Sequence, residues 1–339
     1  MRPFSYERVP DQAAVQRGVP QSATSRAAPV PTMLLAGGTT LLDLMKLDVL
    51  RPERVLDINT LAPKLSAIQA DGQGLRLGAL ARMAAVADDA AVRRDYPVVA
   101  ESLALAASAQ LRNMASLGGN VLQRTRCNYF RDVSYTACNK REPGSGCAAL
   151  DGYNRLHAVL GTSEHCIASY PGDFAQALIA LDAMVEIEGP QGARRIPFAE
   201  LHRQPGDRPD VETTLNPGEM ITGFAVPAGP WARRSRYVKV RDRESYAFAA
   251  ASAAVALDMD GDTVRQARIA LGGVATVPWR AREAEAALAG QVLDEAGAER
   301  AAEAAFRDAK THGENDYKPE LGRRTLVRAL LEAKRMEIG

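Results

Sequence analysis

All four cysteines of this 339-residue chain lie within one window of 40 residues. They are Cys127, Cys138, Cys147 and Cys166, spaced C-x10-C-x8-C-x18-C. The surrounding segment, residues 121–172, contains a loop-forming Pro-Gly-Ser-Gly stretch, and we expect a segment of this size to build no hydrophobic core of its own. A bound metal centre would stabilise such a segment. Disulfides are a poor explanation for the cysteines, because thiols stay reduced in the cytosol. The window therefore predicts a metal centre inserted into a larger fold.

Four thiolates suit either a structural zinc ion or a 4Fe-4S cluster, because both use tetrahedral sulfur ligation. The spacing contains no CxxC pair of the kind common in zinc sites, which favours the cluster. His165, next to Cys166, keeps a zinc site with three cysteines and one histidine open. Four ordinary buried thiols are the remaining alternative.

Length and charge exclude several classes of protein. A chain of 339 residues predicts two or three domains, and 42 basic against 41 acidic residues leave no basic excess for nucleic acid. The longest nearly apolar stretch, residues 247–257, is too short to span a bilayer. Charged residues near the start, among them Glu7 and Arg17, interrupt every candidate signal peptide. We therefore expect no membrane insertion and, if the protein is exported, a signal carried by a partner.

Two glycine pairs mark candidate ligand loops. The segment MLLAGGTTLLDL, residues 33–44, predicts a strand, a glycine turn and a helix. The segment QLRNMASLGGN, residues 110–120, adds a second pair with polar donors in Ser116 and Asn120. Glycines allow close backbone approach to a pyrophosphate, although tight turns alone would also explain them. Neither segment matches GxGxxG or GxxxxGK[ST], so a Rossmann or P-loop site is not predicted.

Five segments in order, LLAGGTTLLDLMK, QLRNMASLGGNVLQRTRC, CNKREPGSGCAALDGYNRLHAV, YPGDFAQALIALDA and YVKVRDRESYAFAAASAAVAL, carry a family resemblance. They resemble the FAD-binding medium subunits of the xanthine dehydrogenase family of molybdenum hydroxylases, and within it the flavin and iron–sulfur subunits of bacterial aldehyde oxidoreductases. The resemblance runs from about Phe4 to the final helix.

This resemblance implies an α+β fold. Residues 1–226 would form an FAD-binding domain of the p-cresol methylhydroxylase type, with two subdomains that separate near residues 57–62 and an iron–sulfur insertion over about 121–172. Residues 232–339 would form a smaller C-terminal α+β domain like that of the CO dehydrogenase flavoprotein.

The resemblance also implies the site residues. FAD would contact Leu35, Ala36, Gly37, Gly38, Thr39, Thr40, Leu41, Ser116, Gly119, Asn120, Asp173, Ile221, Lys239 and Tyr246. One 4Fe-4S cluster would bind Cys127, Cys138, Cys147 and Cys166. The family's Pro-Ser-Asp turn reads Pro171-Gly172-Asp173 here, which removes a hydroxyl donor and keeps the carboxylate.

The implied function is electron transfer within a molybdenum-containing aldehyde oxidoreductase. The chain would receive electrons from a molybdopterin-binding large subunit through a 2Fe-2S small subunit in a heterotrimer, and pass them through FAD and the cluster to an external acceptor. No catalytic residue is expected, since flavin carries the redox chemistry. The location would be periplasmic by export with a partner, or cytoplasmic. A stand-alone FAD oxidase and a zinc-stapled non-enzymatic scaffold are the alternatives.

Overall fold

The computed structural model describes residues 1–19 and 32–338. Its strands are β1 Ser5–Arg8, β2 Thr32–Leu35, β3 Arg54–Asp57, β4 Ile68–Asp71, β5 Gly74–Gly78, β6 Met184–Gly189, β7 Gly192–Pro197, β8 Met220–Pro227, β9 Ser235–Val240, β10 Ala251–Asp260, β11 Thr263–Gly272 and β12 Trp279–Arg280. These strands form three separate sheets.

The α-helices are short before the last domain and longer within it. They are α1 Gln12–Gly18, α2 Leu41–Lys46, α3 Ala62–Leu65, α4 Met83–Asp88, α5 Ala90–Asp95, α6 Pro97–Ala104, α7 Ala109–Met114, α8 Leu117–Val121, α9 Asn128–Arg131, α10 Phe174–Ala180, α11 Arg282–Leu288, α12 Glu295–Ala305 and α13 Lys318–Lys334. Short 3-10 helices cover Asn59–Leu61 and Phe198–Glu200. Within the described ranges no helix has the length and apolar character needed to cross a membrane.

The first sheet is parallel, with the order β1-β3-β2. β2 leads into the first glycine pair, and α2 begins directly after it at Leu41. The predicted strand, glycine turn and helix are therefore confirmed. Leu41, Leu44 and Met45 of α2 are buried. Their packing holds this short helix, and the turn that precedes it, in place.

The second sheet is antiparallel, with the order β4-β5-β8-β6-β7. β8 reaches its centre from far along the chain and pairs with β5 and β6. Phe174 of α10 packs edge-to-face on Phe224 of β8 with ring centroids 5.9 Å apart, in a core that also holds the buried residues of α4 and α6. This core includes Ala115 and Leu117, which lie beside the second glycine pair, so it holds the second loop in place.

The third sheet, β12-β11-β10-β9, is antiparallel and carries α11, α12 and α13. Side chains of a strand alternate between its two faces, and β10 uses both. Ala253, Val255 and Leu257 belong to the core beneath the last helices, whereas Ala254 and Ala256 belong to the core shared with α6 and α10. The small alanine side chains let the two parts of the molecule pack closely.

The cysteine segment joins α8 to α10. Residues 122–173, all of them described, contain one helix, the four-residue α9, and a few isolated bridges such as Cys138 with Cys147. Arg141 ties this segment together through hydrogen bonds from its guanidinium to the carbonyl oxygens of Phe130 and Asp132, at 2.9 and 3.1 Å. The loop-rich character predicted for this segment is confirmed.

Candidate functional site

A cavity of about 320 Å³ lies where the two glycine loops meet. The first loop contributes Ala36 to Leu41, and the second contributes Ser116, Gly118 and Gly119. The lining also includes Ile221 of β8 and a segment near Glu212. Ligand cavities in proteins measure about 300 to 1,000 Å³, so this one is large enough for part of a dinucleotide.

The first loop depends on its two glycines for different reasons. Gly38 has φ +74°, a left-handed conformation that glycine adopts without steric cost. A Cβ on Gly37 would lie 2.1 Å from the carbonyl oxygen of Met114. Gly37 therefore allows the first loop to pack directly against the backbone that leads into the second.

The second loop begins α8. The hydroxyl of Ser116 accepts a hydrogen bond from the backbone N–H of Gly119 at 3.3 Å, which leaves the hydroxyl proton free to donate elsewhere. A Cβ on Gly119 would approach only the hydroxyl oxygen of Ser116 within 4 Å, so this glycine opens onto the cavity. Asn120 is not among the described residues lining the cavity; its amide nitrogen lies 3.4 Å from the sulfur of Met83, and its buried amide oxygen has no hydrogen-bond partner there.

A polar network that the sequence did not reveal holds the two loops in place. Asn59 donates from its amide to the carbonyl oxygen of Ala36 at 2.9 Å and accepts from Arg82 at 2.9 Å. Arg82 also donates to the carbonyl oxygen of Met114. Burial raises the pKa of Asp57, but hydrogen bonds from Tyr6 and Asn59 outweigh it and lower the pKa overall, so Asp57 anchors the network as a carboxylate.

Arg124 forms part of the cavity wall and is almost fully buried, with a side chain 7% exposed. Its Nε donates to Glu212, and its guanidinium lies 4.5 Å from the centre of the Phe130 ring. Its buried Nη2 has no hydrogen-bond partner within the described residues. A buried guanidinium with a spare donor beside a cavity fits an anionic or oxygen-rich ligand.

Asp173 and Lys239 meet at the junction of the two parts of the molecule, away from the lining of this cavity. The ammonium of Lys239 donates to Asp173 at 2.7 Å and to the carbonyl oxygen of Leu105 at 3.1 Å. The hydroxyl of Tyr237 donates to the other carboxylate oxygen at 2.7 Å. The structure thus brings Asp173 and Lys239 together as a buried ion pair, and their role toward a cofactor stays a prediction.

Tyr246 lies on an exposed loop with φ +51°, and its side chain is half exposed. Phe248 on the same loop is also exposed, and the guanidinium of Arg126 lies 4.7 Å from its ring centre. The predicted flavin contact of Tyr246 would therefore be a surface contact.

Leu35, another predicted contact, lies at the end of β2 and packs among the apolar residues beside α2.

The four cysteines are unpaired thiols, and Cys138 and Cys166 are buried. Burial, with smaller contributions from the charges of Cys166 and Cys138, raises the pKa of Cys127 to about 12. Burial likewise raises the pKa of Cys166 to about 11, with contributions from Cys147 and Cys138, while the charge of Lys140 opposes them. Each thiol thus lies within electrostatic reach of others in the group. Across residues 1–19 and 32–338, no three histidine, cysteine or acidic side chains are close enough to hold one metal ion.

The histidine that approaches the cysteines is His157. Its Nε2 lies 3.2 Å from the sulfur of Cys127, whereas the side chain of His165 is exposed. Burial, aided by the charge of Lys318, lowers the pKa of His157 to about 4, so its ring is neutral at pH 7. The chain neighbour of Cys166 is therefore not the histidine that tertiary packing brings to the thiols.

The cavity residues fit FAD by their arrangement, and the cysteines match an iron–sulfur cluster in the number and type of their donors. The open face of Gly119, the free proton of Ser116 and the spare donor of Arg124 suit a phosphate-bearing nucleotide. Four thiols in number and type form the donor set of an iron–sulfur cluster.

Comparison with known proteins decides the family. Residues 20–229 match the FAD binding domain in molybdopterin dehydrogenase, and residues 236–333 match the CO dehydrogenase flavoprotein C-terminal domain. The chain belongs to the FAD-binding medium subunits of the molybdenum hydroxylase family. As a member of this family it is an oxidoreductase subunit, and the expected combination of an FAD-binding domain with a CO dehydrogenase-type C-terminal domain is confirmed.

Several members of this family resemble the chain over nearly its whole length. The aldehyde oxidoreductase FAD-binding subunit PaoB of Escherichia coli K12 is 45% identical, covering 98% of this chain and 99% of that one. The carbon monoxide dehydrogenase medium chain of Hydrogenophaga pseudoflava is 27% identical over 301 residues, 88% of this chain and 87% of that one. A solved carbon monoxide dehydrogenase structure from the same organism superposes with a TM-score of 0.74 at 27% identity, covering 97% of this chain and 96% of that one.

Proposed function

We propose that this chain is the FAD- and iron–sulfur-binding subunit of a molybdenum-containing aldehyde oxidoreductase. The cavity between the two glycine loops, with the spare donor of Arg124 in its wall, carries the proposal, and the 45% identity to an aldehyde oxidoreductase FAD-binding subunit supports the substrate class. Its partners would be a molybdopterin-binding large subunit and a 2Fe-2S small subunit. Its location then follows theirs, periplasmic through export with a partner or cytoplasmic.

The two glycine loops are the residues that we assign to the FAD diphosphate. Ala36, Gly37, Gly38, Thr39, Thr40 and Leu41 present backbone groups, and Gly119 leaves space beside the hydroxyl of Ser116. Ile221, also in the lining, supplies an apolar contact. We keep Asp173 and Lys239 as contacts to the nucleotide end and Tyr246 as a contact at the surface.

We assign a 4Fe-4S cluster to Cys127, Cys138, Cys147 and Cys166. The mutual charge effects among the thiols support a common site, and the loop-rich segment needs an additional source of stability. A zinc ion requires all its sulfurs about 2.3 Å from one point. A cluster takes its sulfurs on separate irons, so its ligands stand farther apart than those of a single ion.

When bound, FAD and the cluster supply the electron-transfer chemistry, while this chain binds, orients and shields them. The cysteine segment leaves the fold directly after Asn120 and returns just before Asp173, next to the assigned flavin contacts. A one-electron centre at this place suits one-electron acceptors, whereas nicotinamide needs hydride transfer at the flavin. We therefore infer that the complex prefers a ferredoxin-like protein, a dye or oxygen over NAD.

An absorption spectrum of the purified chain, with iron, zinc and acid-labile sulfide analyses, tests both cofactors. Flavin bands above a broad iron–sulfur absorbance are expected. Flavin with zinc and no sulfide would instead support a zinc-stapled flavoprotein, and absence of both chromophores would support a non-enzymatic scaffold.

Replacing Cys138 or Cys147 with serine tests the ligand assignment. Each variant should lose most of its iron and sulfide while FAD stays bound. The matched control is Glu142→Gln, which changes an exposed loop residue between them. Iron and sulfide contents equal to wild type in both cysteine variants would refute the cluster site.

Steady-state assays of the assembled complex with an aromatic aldehyde test the acceptor. Reduction of a dye or of ferredoxin should be much faster than reduction of NAD. Equal rates with NAD would overturn the acceptor preference without affecting the cofactor assignments.

A further inference from the structure

Three charged side chains lie between the cavity and the cysteine group, and all three are largely buried. Arg124, Glu212 and Lys140 have side chains that are 7, 15 and 12% exposed. Long charged side chains are rarely buried without a partner, because removing a charge from water is costly. The burial of all three side chains together therefore indicates a role that charged residues on the protein surface do not have.

Glu212 connects the other two. Its Oε2 accepts from Nε of Arg124 at 2.5 Å, and its Oε1 lies 2.9 Å from Nζ of Lys140. Lys140 also donates to the carbonyl oxygen of Pro209 at 3.1 Å. The carboxylate thus compensates one of the two positive charges, and the trio carries a net charge of +1.

The two ends of the trio face different groups. Arg124 and Glu212 line the large cavity, and the Nη2 of Arg124 is a buried donor without a hydrogen-bond partner in the described chain. Lys140 is two residues from Cys138 and follows Asn139, whose amide donates to the carbonyl oxygen of His165, the neighbour of Cys166, at 3.0 Å. The charge of Lys140 accordingly opposes the rise in the pKa of Cys166. A smaller cavity is lined by both Lys140 and Glu212, and Glu212 also lines the large cavity.

We propose that Arg124, Glu212 and Lys140 form a buried charge bridge between the flavin and cluster sites. Arg124 donates from Nη2 to the FAD diphosphate, and Lys140 is a positioning charge that raises the reduction potential of the cluster. This inference rests on the proposed function, because it requires both cofactors.

The sign of each effect follows from Coulomb's law in a poorly screened interior. A nearby positive charge favours the reduced cluster, which carries one more electron, and therefore raises its potential. Removing the charge of Lys140 should lower the potential, and removing that of Glu212 should raise it. A purely structural role would not move the potential in opposite directions.

Redox titration of the full chain, followed by the electron paramagnetic resonance signal of the reduced cluster, measures these shifts. In Lys140→Met the ratio of reduced to oxidised cluster at a fixed potential should fall about tenfold, a change of about 59 mV for one electron. Glu212→Gln should raise the reduction potential of the cluster, and Lys140→Arg should leave it at the wild-type value. Lys334→Met, which removes a lysine charge from α13, serves as the control.

Shifts of the same sign in Lys140→Met and Glu212→Gln, or none in either, would overturn the role of Lys140. Iron and sulfide analysis of every variant identifies any that loses its cluster. If Glu212→Gln loses its cluster, the role of Lys140 is decided by comparing Lys140→Met with Lys140→Arg. Only a charge effect makes the cluster potentials of these two variants differ. If Lys140→Met loses its cluster, Glu212→Gln decides alone: a higher potential supports the charge effect, and an unchanged or lower potential refutes the assigned role of the trio.

Titrating the flavin-depleted full chain tests the Arg124 end. Arg124→Lys keeps the positive charge and should weaken FAD binding about tenfold, because lysine cannot pair with Glu212 and reach the diphosphate in the same fork geometry. Binding of riboflavin, which lacks phosphate, should be unchanged. Arg124→Met with wild-type FAD affinity would refute this contact. A wild-type chain that holds no FAD or no cluster refutes the proposed function instead, so the two failures are distinguishable.

Discussion

At the scale of single residues, glycines that look alike in the sequence perform different tasks. Gly37 permits backbone contact between the loops, Gly38 adopts a left-handed φ, and Gly119 keeps the cavity wall open. A side chain at Gly37 or Gly38 therefore disturbs the loop itself. Of these three glycines, Gly119 is the one whose lack of a side chain leaves space in the cavity and is not required by the conformation or packing of its own loop.

Replacing Gly119 with valine should separate binding from stability. The added Cβ would meet only the hydroxyl oxygen of Ser116, at 3.0 Å, and the rest of the side chain would occupy the cavity. We expect FAD affinity to fall at least about tenfold, or about 1.4 kcal/mol, while the Tm of the flavin-free protein changes little. Fluorescence titration with FAD and calorimetry measure the two effects.

Gly72→Val is the matched control, because a Cβ at Gly72 meets nothing within 4 Å and this turn is remote from the cavity lining. It should bind FAD like wild type. Undiminished FAD affinity in Gly119→Val would contradict the assignment of the second loop.

At the scale of elements, tertiary contacts change what local patterns predict. The stretch 98–110 is rich in alanine, a strong helix former, yet α6 ends at Ala104 and α7 starts at Ala109. The carbonyl oxygen of Leu105 accepts hydrogen bonds from Lys239 and Arg241, and Ser108 caps α7. Side chains of the C-terminal part thus provide the hydrogen bonds that a carbonyl oxygen at the end of α6 would otherwise lack. The local sequence gives no signal for a helix end at this position.

Lys318, at the start of α13, should make stability depend on pH. Its ammonium is fully buried and donates to the carbonyl oxygens of Leu156 and Gly273, at 2.9 and 2.6 Å. Burial lowers its pKa from 10.5 to about 7. Between these values the unfolded chain binds a proton that the folded chain lacks, so the free energy of unfolding should rise with pH.

Urea unfolding at pH 7, 8, 9 and 10 measures this dependence. Relative to Lys318→Met, wild type should gain about 1.4 kcal/mol per pH unit across this window. The exposed Lys310→Met serves as control and should keep the wild-type slope. Parallel curves for wild type and Lys318→Met would show that Lys318 stays protonated when buried.

At the scale of the whole molecule, one strand joins the two domains. β10 places Ala254 and Ala256 against the core of the FAD-binding part and places Val255 and Leu257 against the C-terminal helices. Small side chains on the shared face determine how closely the two parts approach. The buried ion pair of Asp173 and Lys239 lies at the same junction.

Enlarging this shared face should destabilise the assembly of the two domains. Ala254→Leu adds volume to a fully buried site, and overpacking costs about 1 to 3 kcal/mol. We expect a lower Tm by circular dichroism and a small change for Gln266→Leu, on an exposed position of the neighbouring strand. Equal Tm values for both variants would mean that the junction tolerates the extra volume.

The sequence by itself determined the features that depend on neighbours along the chain. The glycine turn after β2, the loop-rich cysteine segment and the ordered family motifs are all local signals, and each was predictable because backbone preference and hydrophobic pattern act over a few residues. The predicted nucleotide loops also lie together around one cavity.

Only the tertiary structure decided which distant side chains meet. Glu212 reaches Arg124 across 88 residues, Lys239 reaches Asp173 across 66, and His157 rather than His165 approaches Cys127. Asn59 and Arg82 likewise connect loops that no local pattern relates. Such pairs depend on the packing of sheets and helices as a whole, since burial brings charges together and makes each partner necessary. No spacing within one sequence encodes that choice.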